Sequence, residues 1–158
     1  MDGSGNVYVA GQSYGSGTGS DYATLKYDSA GNQLWVQRYN GPLGNSQDAA
    51  TAIAVDGSGN INVTGYSTDS TGSGTDFDYA TIRYDQDGNE LWVKRYNGPA
   101  NNDDEAYAIA VDGSGNVYVT GLSYSSVSSS WDCATIKPRN GWRCSAPGGW
   151  QCWTIFAP

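Results

Sequence analysis

The chain has 158 residues, eight Lys and Arg against sixteen Asp and Glu, no histidine, and a formal net charge of −8 at pH 7. That length suits one ordinary domain, and the dispersed basic residues make nucleic acid and anionic membrane surfaces poor partners. Without histidine there is no Ser–His or Cys–His nucleophile pair, and the commonest metal ligand is gone. Fourteen of the sixteen acids are Asp, which points to turns and loops rather than helices. The three cysteines, Cys133, Cys144 and Cys152, have no C-x-x-C spacing and support neither a disulfide framework nor a zinc site. No apolar run is long enough to span a membrane as a helix, so no membrane insertion is expected.

In chain order, short segments rich in Val, Ile, Thr, Tyr and Trp alternate with Gly, Asn and Asp punctuation, the pattern of strands and turns. A turn "DGSGN" (2–6) leads into "NVYVAG" (6–11), and "DYATLKYD" (21–28) runs through "DSAGN" (28–32) to "LWVQRY" (34–39). Next, "TAIAVD" (51–56) turns through a second DGSGN (56–60) into "NINVTGY" (60–66). A Ser/Thr/Gly/Asp stretch (67–77) reads as a loop before "DYATIRYD" (78–85), "DQDGN" (85–89) and "ELWVKRY" (90–96). The third DGSGN (112–116) joins "AIAVD" to "NVYVTG", and "DCATIK" (132–137) follows. No segment carries a helical period.

The segments repeat. "LWVQRYNGP" at 34–42 returns as "LWVKRYNGP" at 91–99, and "DYAT" at 21–24 returns at 78–81, both at an offset of 57. "AIAVDGSGN" at 52–60 returns at 108–116, an offset of 56. Four antiparallel strands per unit of about 55 residues is the signature of a β-propeller blade. Leu91 and Val93 fall on one face of their strand and Trp92 and Tyr96 on the other, so a sheet is expected on each side. The small alanines of "AIAV" suit the crowded strand nearest a propeller axis. An aromatic-rich β-sandwich is the blander alternative.

The phrases "DGSGNVYVTGLS", "DYATIRYDQDGNELWVKRYNGP" and "AYAIAVDGSGN" resemble the bacterial SBBP (six-bladed β-propeller) repeat, over residues 1 to about 137. The resemblance implies a propeller within a larger exported or cell-surface bacterial protein, and it implies no catalytic motif. Residues 1–137 then divide into blade pieces 1–40, 49–97 and 106–137, the first lacking its inner strand and the last its outer strand. That makes about two and a half four-stranded blades of a larger propeller, too few to close a ring.

Met1 stands where Val55 and Val111 precede DGSGN, which raises the expectation of a start inside a longer reading frame. Residues 138–158 break the pattern with Trp, Cys and Pro where a strand should continue. That switch suggests out-of-frame translation or truncation. The alternative is a binding tail in which Trp142, Trp150 and Trp153 stack on sugar or peptide.

Each candidate for chemistry has a structural reading beside it. In the D-x-x-G-N segments, Asp56, Ser58 and Asn60, or Asp85, Asp87 and Asn89, could offer calcium oxygens. The Gly falls at position 4 rather than 6 and no Glu stands at position 12, so hairpin turns are the expectation. A phosphate loop fails because no helix or Lys follows. The stretches 11–21, 65–78 and 121–132, with 40–49 and 97–106, are expected to form one loop face carrying Asp69, Asp76, Asp103, Asp104 and Glu105. "D-x-x-G-N-x-L-W" also resembles the tryptophan-docking phrase of quinone-dependent dehydrogenase propellers, which implies that Trp35 and Trp92 pack between blades. Asn62-Val63-Thr64 matches a glycosylation acceptor but sits inside a strand.

The sequence therefore reads as an all-β, non-enzymatic repeat module. No catalytic, cofactor-binding or metal-ligating residue is assigned and no cofactor is expected. A protein or carbohydrate is expected at the loop face, with blades stacking through Trp35, Trp92, Tyr39 and Tyr96, and self-association through open blade edges. The resemblance alone implies an extracellular or cell-surface location. The alternative is a fragment of a propeller enzyme, quinone-dependent or polysaccharide-acting.

Overall fold

The computed structural model describes residues 1–15, 17, 19–44, 47–69, 76–125, 129–137 and 143–144. Among the described residues, eleven strands make three antiparallel sheets. Blade 1 holds β1 (Val7–Gly15), β2 (Gly19–Tyr27) and β3 (Gln33–Tyr39) in that order. Blade 2 holds β4 (Asp48–Val55), β5 (Ile61–Asp69), β6 (Asp76–Tyr84) and β7 (Glu90–Tyr96). Blade 3 holds β8 (Asp104–Val111), β9 (Val117–Ser125), β10 (Ser130–Lys137) and β11 (Arg143–Cys144). Among the described residues there is no helix, and hence none long and apolar enough to cross a membrane. The fold is all-β, part of a propeller.

The five D-x-x-G-N segments are one turn built five times. At Asp56 the backbone N–H groups of Ser58 and Asn60 donate to Oδ1, each at 2.9 Å, and Asn60 Nδ2 donates to Oδ2 at 2.9 Å. The same three bonds recur at Asp2, Asp28, Asp85 and Asp112. The fourth residue needs a left-handed backbone, with φ between 75° and 86° at Gly5, Gly31, Gly59, Gly88 and Gly115, where a side chain would be strained. Both carboxylate oxygens are thus occupied within the turn, and the Asn bonds hold the Asp112 carboxyl down to about 2. These segments are hairpin turns.

Packing between blades makes the core. Tyr8 and Tyr22 of blade 1 meet Ile61, Val63, Ala80, Ile82 and Tyr84 of blade 2, with Trp35, Tyr39 and Val93 packed against them. Tyr79 and Tyr96 of blade 2 then meet Val117, Val119, Ala134 and Ile136 of blade 3, with Trp92 alongside. The two faces of β7 divide as expected for Val93, toward one junction, and for Trp92 and Tyr96, toward the other, whereas Leu91 is half exposed. Trp35 docks on the turn of the next blade: its Nε1 donates to the Gln86 carbonyl at 3.1 Å, and its ring lies where a Cβ on Gly88 would stand.

One expectation needs correcting. The Ser/Thr/Gly/Asp stretch at 67–77 is not all loop, because β5 and β6 run on to pair Ser67 with Asp78, Thr68 with Phe77 and Asp69 with Asp76. The stretches 11–21 and 121–132 are likewise mostly strand. Composition misled here: cross-strand pairs such as Tyr66 against Phe77, 4.9 Å between ring centroids, hold these hairpin ends together despite their polar residues. β11 pairs Cys144 with Ile136 and Arg143 with Lys137. The rest of 138–158, including Trp142, Trp150 and Trp153, lies outside the described residues.

Candidate functional site

The hairpin ends of the three blades lie at the end of each sheet opposite the D-x-x-G-N turns, and their described residues fall into two sets. One set is the same in every blade. Ser13 pairs with Asp21, Ser67 with Asp78 and Ser123 with Asp132. In blade 2, Arg95 clamps this pair, donating to Ser67 Oγ at 2.6 Å and reaching Asp78 Oδ2 at 3.2 Å. Arg38 does the same to Ser13 and Asp21 in blade 1. Arg95 also donates to Tyr39 Oη at 3.2 Å, which ties the clamp to the neighbouring blade. Burial pushes the Asp78 carboxyl up to about 7 against the pull of Arg95. These groups hold the scaffold.

The linker between blades is equally committed. Gly41 N–H donates to Asp48 Oδ2 at 2.8 Å, and Gly98 N–H donates to Asp104 Oδ2 in the same way. Both aspartates are buried, and a Cβ on either glycine would stand within 2.6 Å of a Ser67 or Ser123 oxygen, so only Gly fits. Asp104 is therefore not a surface acid. Burial raises its carboxyl to about 6, and no cation pairs with it among the described residues.

The expected acidic run is divided among separate tasks. Asp103 Oδ1 accepts from Phe77 N–H at 3.0 Å, and its carbonyl accepts from Tyr124 N–H at 3.1 Å. Glu105 accepts from the Tyr107 hydroxyl. Asp69 faces Arg95 at 3.6 Å and pairs across the hairpin with Asp76. Among the described residues no group of three acids or cysteines is gathered closely enough to hold a metal. Asn62 is fully buried, so glycosylation there has no access.

The second set differs from blade to blade. Beside each constant Ser–Asp pair, Tyr14 faces Ser20 in blade 1, Thr68 faces Phe77 in blade 2, and Tyr124 faces Trp131 in blade 3. One step inward, Gln12, Tyr66 and Leu122 are likewise unlike. Tyr14 is 79% exposed and Trp131 45%, and Trp131 meets Tyr124 edge to face at 5.7 Å. Exposed aromatics on a rigid strand end can stack on a sugar or peptide. The sequence reading emphasised the acids and passed over these aromatics. Aligning the repeats by their constant Ser and Asp would have isolated them.

Sequence reading also passed over the junction bonds. Tyr22 Oη donates to the Ala80 carbonyl at 3.1 Å and Tyr79 Oη to the Ala134 carbonyl at 3.2 Å, one blade reaching the next. Arg83 pairs with Asp56 and donates to the Gly115 carbonyl at 3.4 Å. The signal was present: Tyr22 and Tyr79, like Arg38 and Arg95, recur at the repeat offset of 57.

Known proteins are similar to this chain in sequence. Residues 91–127 match the SBBP family, described as a Beta-propeller repeat. The chain is 37% identical over 135 residues to the regulatory protein FlaEY of Caulobacter vibrioides, an alignment covering 78% of this chain and 13% of that protein. It is 34% identical over 121 residues to an uncharacterized WD repeat-containing protein, L264, of Acanthamoeba polyphaga mimivirus, covering 67% of this chain and 8% of that protein. The chain thus spans a small part of the length of these relatives.

Proposed function

We propose that this chain, which carries β-propeller repeats of the SBBP family, is a non-catalytic binding or structural module of a bacterial exported or cell-surface protein. One observation carries the reading. The polar groups that recur from blade to blade are engaged in turns, clamps and junctions, while the residues that change include two exposed aromatics at the hairpin ends, Tyr14 and Trp131. A surface whose scaffold is constant and whose end residues vary suits recognition rather than catalysis. The ligand is a protein or carbohydrate, met by Tyr14, Tyr124 and Trp131.

Glycan and peptide arrays probed with the labelled chain test this. A ligand whose binding falls at least about tenfold in Trp131→Ala and Tyr124→Ala, with unchanged melting, supports the reading. Binding indifferent to both substitutions, or turnover of an arrayed glycan, overturns it.

Self-association belongs to the same proposal. Val7, Val9 and Val36 are exposed on blade 1, where their counterparts in blade 2, Ile61, Val63 and Val93, pack in the junction with a neighbouring blade. Light scattering across a concentration series is expected to show association, and a monomer at every concentration overturns that part.

A further inference from the structure

Among the described residues blade 1 ends at β1, whereas blades 2 and 3 each carry one more strand on that side, β4 and β8. The difference is visible at one glycine. A Cβ on Gly65 would stand 2.0 Å from the Ala49 carbonyl oxygen of β4, and one on Gly121 would stand 2.0 Å from the Glu105 carbonyl oxygen of β8. Gly11 holds the same place in β1, and nothing lies within 4 Å of its Cβ direction. Its φ is not in the left-handed region, so the backbone there does not require glycine. Gly11 is shaped for a strand that the described chain does not supply.

We propose that the β1 edge is an acceptor site for one extended peptide of the β4 type, supplied by another repeat of this family. The pairing follows from blade 2, where Asp48, Ala49 and Ala50 oppose Ser67, Tyr66 and Gly65, and Ala52 to Val55 oppose Thr64 to Ile61. On β1 the same segment places its Asp opposite Ser13, its second Ala opposite Gly11, and its Ala-Ile-Ala-Val opposite Ala10 to Val7. The ladder shifts by one residue just past the glycine in both blades that carry an inner strand, between Ala50 and Ala52 and between Ala106 and Ala108. The extra residue, Thr51 in β4, donates its hydroxyl to the Ala106 carbonyl of the next inner strand at 2.6 Å. A peptide on β1 would direct the same hydroxyl at Ala50, the counterpart of Ala106.

The clamp residue agrees with this placement. Arg38 donates to the Ser13 carbonyl at 3.3 Å and to its Oγ at 2.8 Å, at the residue the peptide's Asp would oppose. Its side chain is 44% exposed, against 21% for Arg95 at the corresponding place in the complete blade. The ligand is thus an acid-led strand of alternating small and branched apolar residues. Main-chain bonds to the open edge would supply its affinity and the Gly11 notch its register.

The test uses the full chain and a fluorescent synthetic peptide with the sequence of residues 47–56, read by anisotropy. Saturable binding is expected. Gly11→Ala and Gly11→Val should each weaken it at least about tenfold while leaving the melting temperature of the free chain unchanged, since both side chains enter open space. Val for the peptide's Thr should weaken binding roughly fivefold, through loss of one hydrogen bond. Absence of saturable binding overturns the proposal, as does equal affinity for the Gly11 variants. A chain dimer that excludes the peptide and persists in Gly11→Val would show that a second copy takes the edge instead, and would also overturn it.

Discussion

Val63 and Val9 occupy the same place in successive blades, yet Val63 is fully buried and Val9 is 46% exposed. Ile61 and Val7 differ in the same way, at 0% and 38%. The residues are alike, so the difference comes from the neighbours: β5 lies between β4 and β6, whereas among the described residues β1 pairs only with β2. Blade 2 has a sheet on each side, and blade 1 has one on a single side. Burial in this fold belongs to the junction rather than to the blade, as in repeat architectures generally. The apolar residues of a lone blade would bury little.

The sharpest way to break that comparison is to add a methyl group at equivalent glycines. Gly65→Ala forces a Cβ onto the Ala49 carbonyl and is expected to cost about 3 kcal/mol in chemical denaturation. Gly11→Ala is expected to stay within about 0.5 kcal/mol of the parent. Next comes truncation. Val63→Ala should cost about 2 kcal/mol and Val9→Ala less than about 0.5 kcal/mol, measured in the same way. Equal costs at the two positions would mean that the blades do not stack as described. A smaller effect attends Tyr79→Phe, which removes the hydroxyl bond to Ala134 and is expected to cost about 1 kcal/mol.

Two groups of aspartates give the comparison a pH axis. Asp78 and Asp104 have carboxyls raised by burial to about 7 and about 6, above the ordinary 3.8. The folded state holds their protons more tightly than the unfolded chain does. Their contribution is therefore fully present below pH 3.8 and is lost as pH rises through 6 and 7. The turn aspartates have the opposite sign. The Asp112 carboxyl, lowered to about 2, contributes above pH 3.8 and loses that contribution as pH falls toward 2. Melting temperature is expected to peak near pH 4, where the two windows meet, and to fall on either side. Asp78→Asn together with Asp104→Asn should flatten the alkaline side, and an unchanged profile would refute the burial argument.

Much of this was legible in the chain. Turn identity followed from Asp, Gly and Asn at fixed spacing, because only that order lets one carboxylate accept two amides beside a left-handed glycine. Strand order and the two apolar faces of "ELWVKRY" followed from the repeat. The hairpin ends did not, because Ser, Thr and Asp at 67–77 resemble loop residues until a partner strand is known. Asp104 was read as exposed for a related reason: its burial depends on Gly98, six residues earlier, folding back to meet it. The candidate aromatics were hidden by their variability, since a repeat search rewards what stays the same.

Amide hydrogen exchange on the whole chain tests most directly the claim that neighbours, not blades, confer burial. The slowest exchange is expected in β5 and β6 of the doubly covered blade, with markedly faster exchange along β1. Equal protection of β1 and β5 would contradict the account.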